Sequence, residues 1–262
     1  MRASLRAALF CLALLGVSLV SSKAHAYAWM IRHGFAECGG CHVDPMGGET
    51  LTGMGRVVGQ TLLSMPWSDA PPTDIAKFAF GITEPDNLRL GGSFRAMAIY
   101  DIAKSITRAF PMQADVYGAG FIGPFTIAAS IGYSRASDRY EHSSKAKLFG
   151  NVEDEGFLVV SRNHWIGYSL TEDLMLRLGR INLPFGVRIP EHTMWARGET
   201  YTDRESDQQH GVSLVYSSAQ FRGELMAVAG NFQLPNDENR ERGYTGYLEY
   251  MFEPNLGAAY FW

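Results

Sequence analysis

A strict period of two runs through most of this chain, and nothing else in it restricts the fold as tightly. From Leu88 to Tyr100 the even positions carry Leu88, Leu90, Gly92, Phe94, Ala96, Ala98 and Tyr100, whereas Arg89, Ser93 and Arg95 fall on odd ones. Side chains that alternate in this way stand on opposite faces of a β-strand, and the length is close to one bilayer crossing. Met112 to Ile122 repeats the pattern, with Met112, Ala114, Val116 and Ile122 opposed to Gln113, Asp115 and Tyr117. Phe125 to Tyr133 follows after Gly123-Pro124, a pair suited to a tight turn. Further candidate strands are Leu158 to Leu170, Leu174 to Leu183, Val212 to Tyr216, Phe221 to Phe232, Tyr244 to Phe252 and Leu256 to Trp262.

The links between these strands are of two kinds. Thr171-Glu172-Asp173 is short, while Ala136 to Glu155 and Arg188 to Gln209 are long and polar. Short turns on one side and long loops on the other characterise outer-membrane barrels. The fold expected is therefore mainly β: an antiparallel outer-membrane-type β-barrel of about 8 to 10 strands over residues 87–262. A soluble β-sandwich or barrel would alternate as well. The membrane version is favoured by small residues interleaved with aromatics at strand ends, by 28 glycines and by an aromatic content of 12%. Leu256, Ala258, Tyr260 and Trp262 alternate up to a terminal aromatic, which resembles the signal by which such barrels are recognised for insertion. The candidates number about nine, whereas bacterial single-chain barrels carry an even number. Either one strand is missed or split, or the barrel is a truncated form of a longer one.

Residues 1–26 read as a secretory signal peptide. Arg2 and Arg6 supply the positive start, Ala7 to Val20 an apolar run too short to span a bilayer, and Ala24-His25-Ala26 a cleavage context, so that the mature chain begins at Tyr27. Cys11 lies inside the apolar run without the context of a lipid anchor. No later run of about 18 apolar residues offers a helical span. The net charge of -4 with no basic cluster argues against nucleic acid as a partner.

Two cysteines then remain, Cys38 and Cys41, and His42 follows the second directly. Cys38-Gly39-Gly40-Cys41-His42 is the spacing by which two thioether bonds tether one covalent haem c and the adjacent imidazole falls under its iron. The competing readings are a disulfide with an incidental histidine, and half a zinc site that lacks a second Cys/His pair. Cys38, Cys41 and His42 are thus the expected cofactor-binding residues, with His42 as proximal iron ligand. His33 is the first choice for the opposite axial position, and Met46 or Met54 are the alternatives. Asp44 to Gly48 reads as a turn and Leu51 to Leu63 as a short helix over the haem. This haem segment, residues 27–64, is too small to wrap a haem as a full-sized cytochrome domain would, so the lumen or mouth of the following barrel must cover it. Residues 65–86, punctuated by Pro66, Pro71, Pro72 and Pro85, form the linker.

This order of parts, and the stretch His33 to Arg56 with its Leu51-Thr52-Gly53-Met54-Gly55-Arg56 run, resembles the fused monohaem cytochrome c–porin family of outer-membrane extracellular electron-transfer proteins, which includes iron oxidisers. The resemblance implies a haem in or at the barrel. It also implies relay of electrons between an extracellular donor or acceptor and periplasmic electron carriers, in an outer membrane whose lipid the barrel faces. Members usually have longer barrels. Gly179 to Gly186 looks like a strand-to-loop segment of anion-selective porins, whose inward loops would let Arg188, Arg197 and Arg204 form an electropositive constriction; an ordinary solvated loop is the plainer reading. His164, His192 and His210 read as surface or lumen residues.

An electron-transfer protein, not an enzyme, is therefore the leading expectation. A diffusion porin whose haem segment senses or gates is the second, and a soluble periplasmic haem protein with a β-domain the third. No acid-base constellation supports a haem enzyme.

Overall fold

The computed structural model describes residues 35, 37–61, 78–79, 82–102, 104–135, 147–149, 157–185, 208–232, 242–253 and 256–261. The chain is mainly β. One helix, α1 (Gly53–Thr61), lies within the stretch read as helical. It is followed by β1 (Phe78–Ala79) and β2 (Ile82–Thr83), which pair with each other, so the end of the linker is a small hairpin and not merely a spacer.

The large sheet comprises β3 (Leu88–Asp101), β4 (Ile106–Ile122), β5 (Phe125–Arg135), β6 (Lys147–Phe149), β7 (Phe157–Val160), β8 (His164–Ser169), β9 (Leu174–Ile181), β10 (Gln209–Ser217), β11 (Phe221–Gly230), β12 (Gly243–Glu253) and β13 (Leu256–Phe261). Its order is β13-β12-β11-β10-β9-β8-β5-β4-β3, every neighbouring pair antiparallel, with β7 also on β5 and β6 on β7. All nine expected strands are present. Leu158 to Leu170 is one crossing broken at Ser161-Arg162-Asn163, since β7 and β8 pair with consecutive stretches of β5. β4 starts before the expected Met112, and it accepts Pro111 because the register shifts there, from Arg95 opposite Gln113 to Ala96 opposite Pro111. The bulge relieves proline of a ladder hydrogen bond that it cannot donate.

Closure is where the expectation of a barrel is corrected to something coarser. Among the described residues β3 and β13 end the order and are not paired, so the sheet is open. Nine strands, each antiparallel to the last, leave β3 and β13 running in the same direction, so any direct joining of these two edges would be a parallel ladder.

The two faces of the sheet are inverted relative to a water-soluble β-domain. Buried residues on the strands include Gln113, Asp115, Thr126, Ser130, Arg177, Ser213, Ser217, Arg222, Glu224 and Glu249, whereas Val116, Ile127, Ile131, Ile166, Leu176, Leu178, Val212, Leu214, Leu225 and Leu248 are exposed. Among the described residues twice as many polar or charged side chains as hydrophobic ones are buried. An antiparallel sheet with one face in water puts its apolar set against the core; this one does the reverse.

Aromatic residues border the exposed face at both ends of the strands. Phe125 packs on Tyr168 (5.0 Å between ring centroids), Tyr216 on Phe221 (5.6 Å) and Tyr250 on Phe252 (5.2 Å), all beside the short links Gly123-Pro124, Leu170 to Asp173, Ser218 to Gln220 and the break between Glu253 and Leu256. Tyr100, Phe232 and Tyr244 stand exposed at the opposite ends. Along β12, Tyr244 and Phe252 are eight residues apart, or about 26 Å at ~3.3 Å per residue.

Candidate functional site

Cys38 to His42 folds as a single turn, because both Cys41 N–H (3.1 Å) and His42 N–H (2.9 Å) donate to the Cys38 carbonyl. His42 then pairs with Leu51 in a short bridge, fixed by Val43 N–H to the Thr50 carbonyl (2.9 Å) and Thr52 N–H to the Cys41 carbonyl (2.9 Å). The loop between them reverses through Gly47 (φ +93°) and Gly48 (φ +105°), with Met46 N–H donating to Asp44 Oδ1 at 2.9 Å. A side chain on Gly47 would begin 3.3 Å from Cys38 Cβ and 3.4 Å from its sulfur, so glycine leaves room at that thiol.

The reversal also presents the Gly48 carbonyl to His42 Nδ1 at 3.0 Å. A carbonyl can only accept, so Nδ1 carries the proton and the lone pair lies on Nε2. That is the tautomer an iron ligand needs, oriented by a partner on its other nitrogen.

Helix α1 is joined to this turn through its cap. Thr52 Oγ1 accepts Gly55 N–H (3.1 Å), as an N-cap hydroxyl does, and donates its own proton to the Gly40 carbonyl (2.7 Å). Gly55 lies directly on the Cys41 backbone, so close that a Cβ would overlap the Cys41 carbonyl. Arg56 on the buried side of α1 makes a double ion pair with Glu84 (2.5 and 2.9 Å) and donates to the Leu90 carbonyl at 2.7 Å, tying the helix to the start of β3.

The whole segment lies on the polar face of the sheet. Asp44 is ion-paired with Arg177 of β9 at 2.8 Å; Arg177 also bonds Glu224 of β11 (2.5 Å) and Ser213 of β10 (3.2 Å), and lies over the Trp165 ring. Glu49 accepts from Asn163 Nδ2 (2.5 Å), and Arg222 of β11 reaches the Cys38 sulfur with Nη1 at 2.6 Å while its Nη2 pairs with Glu249. Val43 joins a buried cluster with Ala119, Ala128, Trp165, Ile181 and Met226, and Met46 another with Val215 and Tyr247. Arg222 follows Phe221 at the short-link end, and Leu90 lies near that end of β3, whereas Arg177 lies in mid-strand. The Cys38–His42 turn therefore faces the end that carries the links 123–124, 170–173 and 218–220, the four-residue link 102–105 being at the other end.

Cys38 and Cys41 are not joined as a disulfide, and both are partly exposed. Burial pushes the Cys41 thiol above its ordinary value, with Cys38 and Glu37 adding to the effect. Among the described residues no three His, Cys, Asp or Glu side chains converge as metal ligands. Two thiols, an imidazole of the right tautomer and glycine at the crowded positions fit a covalent haem.

For the other candidates the outcome is mixed. Met46 is packed in its cluster and Met54 is exposed on α1. His33, His192, Arg188, Arg197 and Arg204 lie outside the described residues. His164 and His210 share the face of Ile166 and Val212, and their Nε2 atoms are 3.2 Å apart. Phe232 N–H donates to His210 Nδ1 (3.1 Å), so the proton of neutral His210 is on Nε2 and points at His164. The arginines of the polar face, Arg162, Arg177 and Arg222, were not singled out in the sequence, although Arg177 and Arg222 stand out of phase with exposed Leu176, Leu178 and Leu225. Arg162 pairs with Asp115 at 2.9 Å and Arg180 donates to the Ser161 and Arg162 carbonyls at the strand break.

Comparison of the chain with protein-family models, with curated proteins and with solved structures gives no match.

Proposed function

We propose that this chain is an outer-membrane electron-transfer protein in which a monohaem c-type segment occupies the polar side of a porin-like barrel. Cys38 and Cys41 would hold the haem by thioether bonds and His42 would ligate its iron through Nε2. The haem would supply one-electron redox chemistry, and the protein its ligation, partial burial and position. Electrons would pass between periplasmic carriers and an extracellular donor or acceptor.

The observation that carries this reading is the inverted sheet with the Cys38–His42 turn bound to its polar side. An apolar exposed band bordered by aromatics suits lipid, and the ~25 Å height of such bands is near the length measured along β12 before tilt. A soluble periplasmic haem protein would leave that band in water at a high cost. Short turns face the periplasm in outer-membrane barrels, so the haem would lie toward periplasmic carriers. A gating role is less well supported. The segment is held by polar contacts that include Asp44–Arg177, Glu49–Asn163, Cys38–Arg222 and Arg56–Leu90, where a gate should move.

The test is a haem stain and pyridine haemochrome spectrum on denatured protein from separated inner- and outer-membrane fractions, with Cys41→Ala as control. Covalent haem is expected in the outer membrane and should vanish in the variant. No covalent haem, in cells that mature other c-type cytochromes, would overturn the proposal.

A further inference from the structure

The Cys38 sulfur has one feature that the haem motif by itself does not require: a buried guanidinium against it. Arg222 reaches from β11 with Nη1 at 2.6 Å from Cys38 Sγ, and the residue is only 2% exposed. Its other terminal nitrogen pairs with Glu249 of β12, to which Tyr247 donates its hydroxyl at 2.7 Å. Glu249 lies directly opposite Arg222 in the β11–β12 register. The pair is thus oriented, with its positive end toward the sulfur and its negative end beyond. Glu224 and Arg177 lie next to it on the same face, and Glu224 is already engaged with Arg177.

In a thioether-linked haem that sulfur is bonded to a substituent of the macrocycle. A charge held against it acts on the redox centre through a medium of low dielectric, where Coulombic effects are large and weakly screened. One-electron reduction lowers the charge of the centre by one, so a nearby fixed cation favours the reduced form. Arginine stays charged at any working pH.

We propose that Arg222 tunes the reduction potential of the haem upward, with Glu249 as the counter-charge that moderates it. This makes Arg222 a positioning residue for charge, and not a ligand; it rests on the haem-bearing reading above.

The experiment is a spectroelectrochemical titration of the full-length protein in detergent, following the reduced haem α-band, for the wild type, Arg222→Gln, Arg222→Lys and Glu249→Gln, each first checked by haem stain. Arg222→Gln should lower the midpoint enough to change the ferrous-to-ferric ratio at least tenfold at a fixed ambient potential, which is 59 mV for a one-electron couple. Glu249→Gln should move it in the opposite direction, and Arg222→Lys should stay near the wild type. Opposite signs distinguish charge from mere disturbance of the fold, which would shift both variants the same way. If Arg222→Gln does not accumulate, Glu249→Gln decides: a raised midpoint supports the proposal, and an unchanged or lowered one overturns it. Unchanged or same-sign shifts in haem-bearing variants likewise overturn it and leave the haem reading intact, whereas absence of covalent haem from the wild type refutes the haem reading itself.

Discussion

Asp44 docks the 37–61 segment on the sheet through a buried ion pair with Arg177, and removing it should loosen the segment without loosening the sheet. Its carboxylate faces Arg177 at 2.8 Å and accepts Met46 N–H at 2.9 Å. Arg177 is fully buried but keeps Glu224 when Asp44 is gone, so the ~3–5 kcal/mol penalty of an orphaned buried charge is not incurred. What is lost is a charge-assisted interaction of ~1.5–3 kcal/mol and a turn hydrogen bond of ~1 kcal/mol. Asp44→Ala should therefore cost about 3 kcal/mol in the docking of residues 37–61, and Asp44→Asn, which can still accept both bonds, about 1 kcal/mol. Since 1.4 kcal/mol is tenfold, amide hydrogen exchange in the segment should accelerate roughly a hundredfold for alanine and about fivefold for asparagine. Peptides from β9 to β11 should hold their protection. Equal acceleration in the strands, or less than threefold in the segment of the alanine variant, would refute the view that this ion pair is a dock and not part of the sheet's own stability.

Two further outcomes follow from other parts of the structure. Leu178, exposed at 61% on the apolar face of β9, should tolerate arginine in a soluble protein, but Leu178→Arg should cost ~2–4 kcal/mol for a residue near a bilayer midplane; urea unfolding in lipid vesicles measures it, and a cost below about 0.5 kcal/mol would argue against a lipid face. Gly55→Ala drives a methyl into the Cys41 carbonyl and should displace α1 from the turn, so covalent haem yield should fall severalfold on a haem-stained gel, while Gly59→Ala, with nothing within 4 Å of its Cβ, should not alter it.

The strands were legible because burial on one face only leaves period two in the sequence, and the two faces read in Met112 to Ile122 separate buried Gln113 and Asp115 from exposed Val116 and Ile122. Which face is buried was not something alternation could tell: the pattern is the same whether apolar residues point to a core or to lipid. Val212 to Tyr216 was read short because Gln209, His210 and Gly211 carry no apolar signal, yet they pair with Ile181, Arg180 and Gly179. The gap at Ser161 to Asn163 was invisible too, since it depends on Arg180 donating to two carbonyls from another strand. Closure could not be read at all, because it concerns the pairing of the first and last strands and leaves no local trace.

At the candidate site the sequence marked the residues but not what supports them. Cys38, Cys41 and His42 are adjacent in the chain, so their spacing alone identifies them, whereas Glu84 looks like one more residue of a proline-rich linker until Arg56 is seen to grip it. The arginines facing the segment illustrate the same limit from the other side. A charged residue in the middle of a half-apolar strand would ordinarily mark the solvent face, and Arg177 and Arg222 fit that reading until their burial is known. Their burial there follows from the small size of the segment, residues 37–61, that covers them. So few residues cannot make a core of their own, and a polar face cannot bury without partners; Asp44, Glu49 and the Cys38 sulfur meet the polar side chains of the sheet, while Val43 and Met46 fill the apolar gaps between them. Each part pairs polar groups that the other would otherwise bury alone, which is why the short Cys38–His42 segment and the inverted sheet hold together.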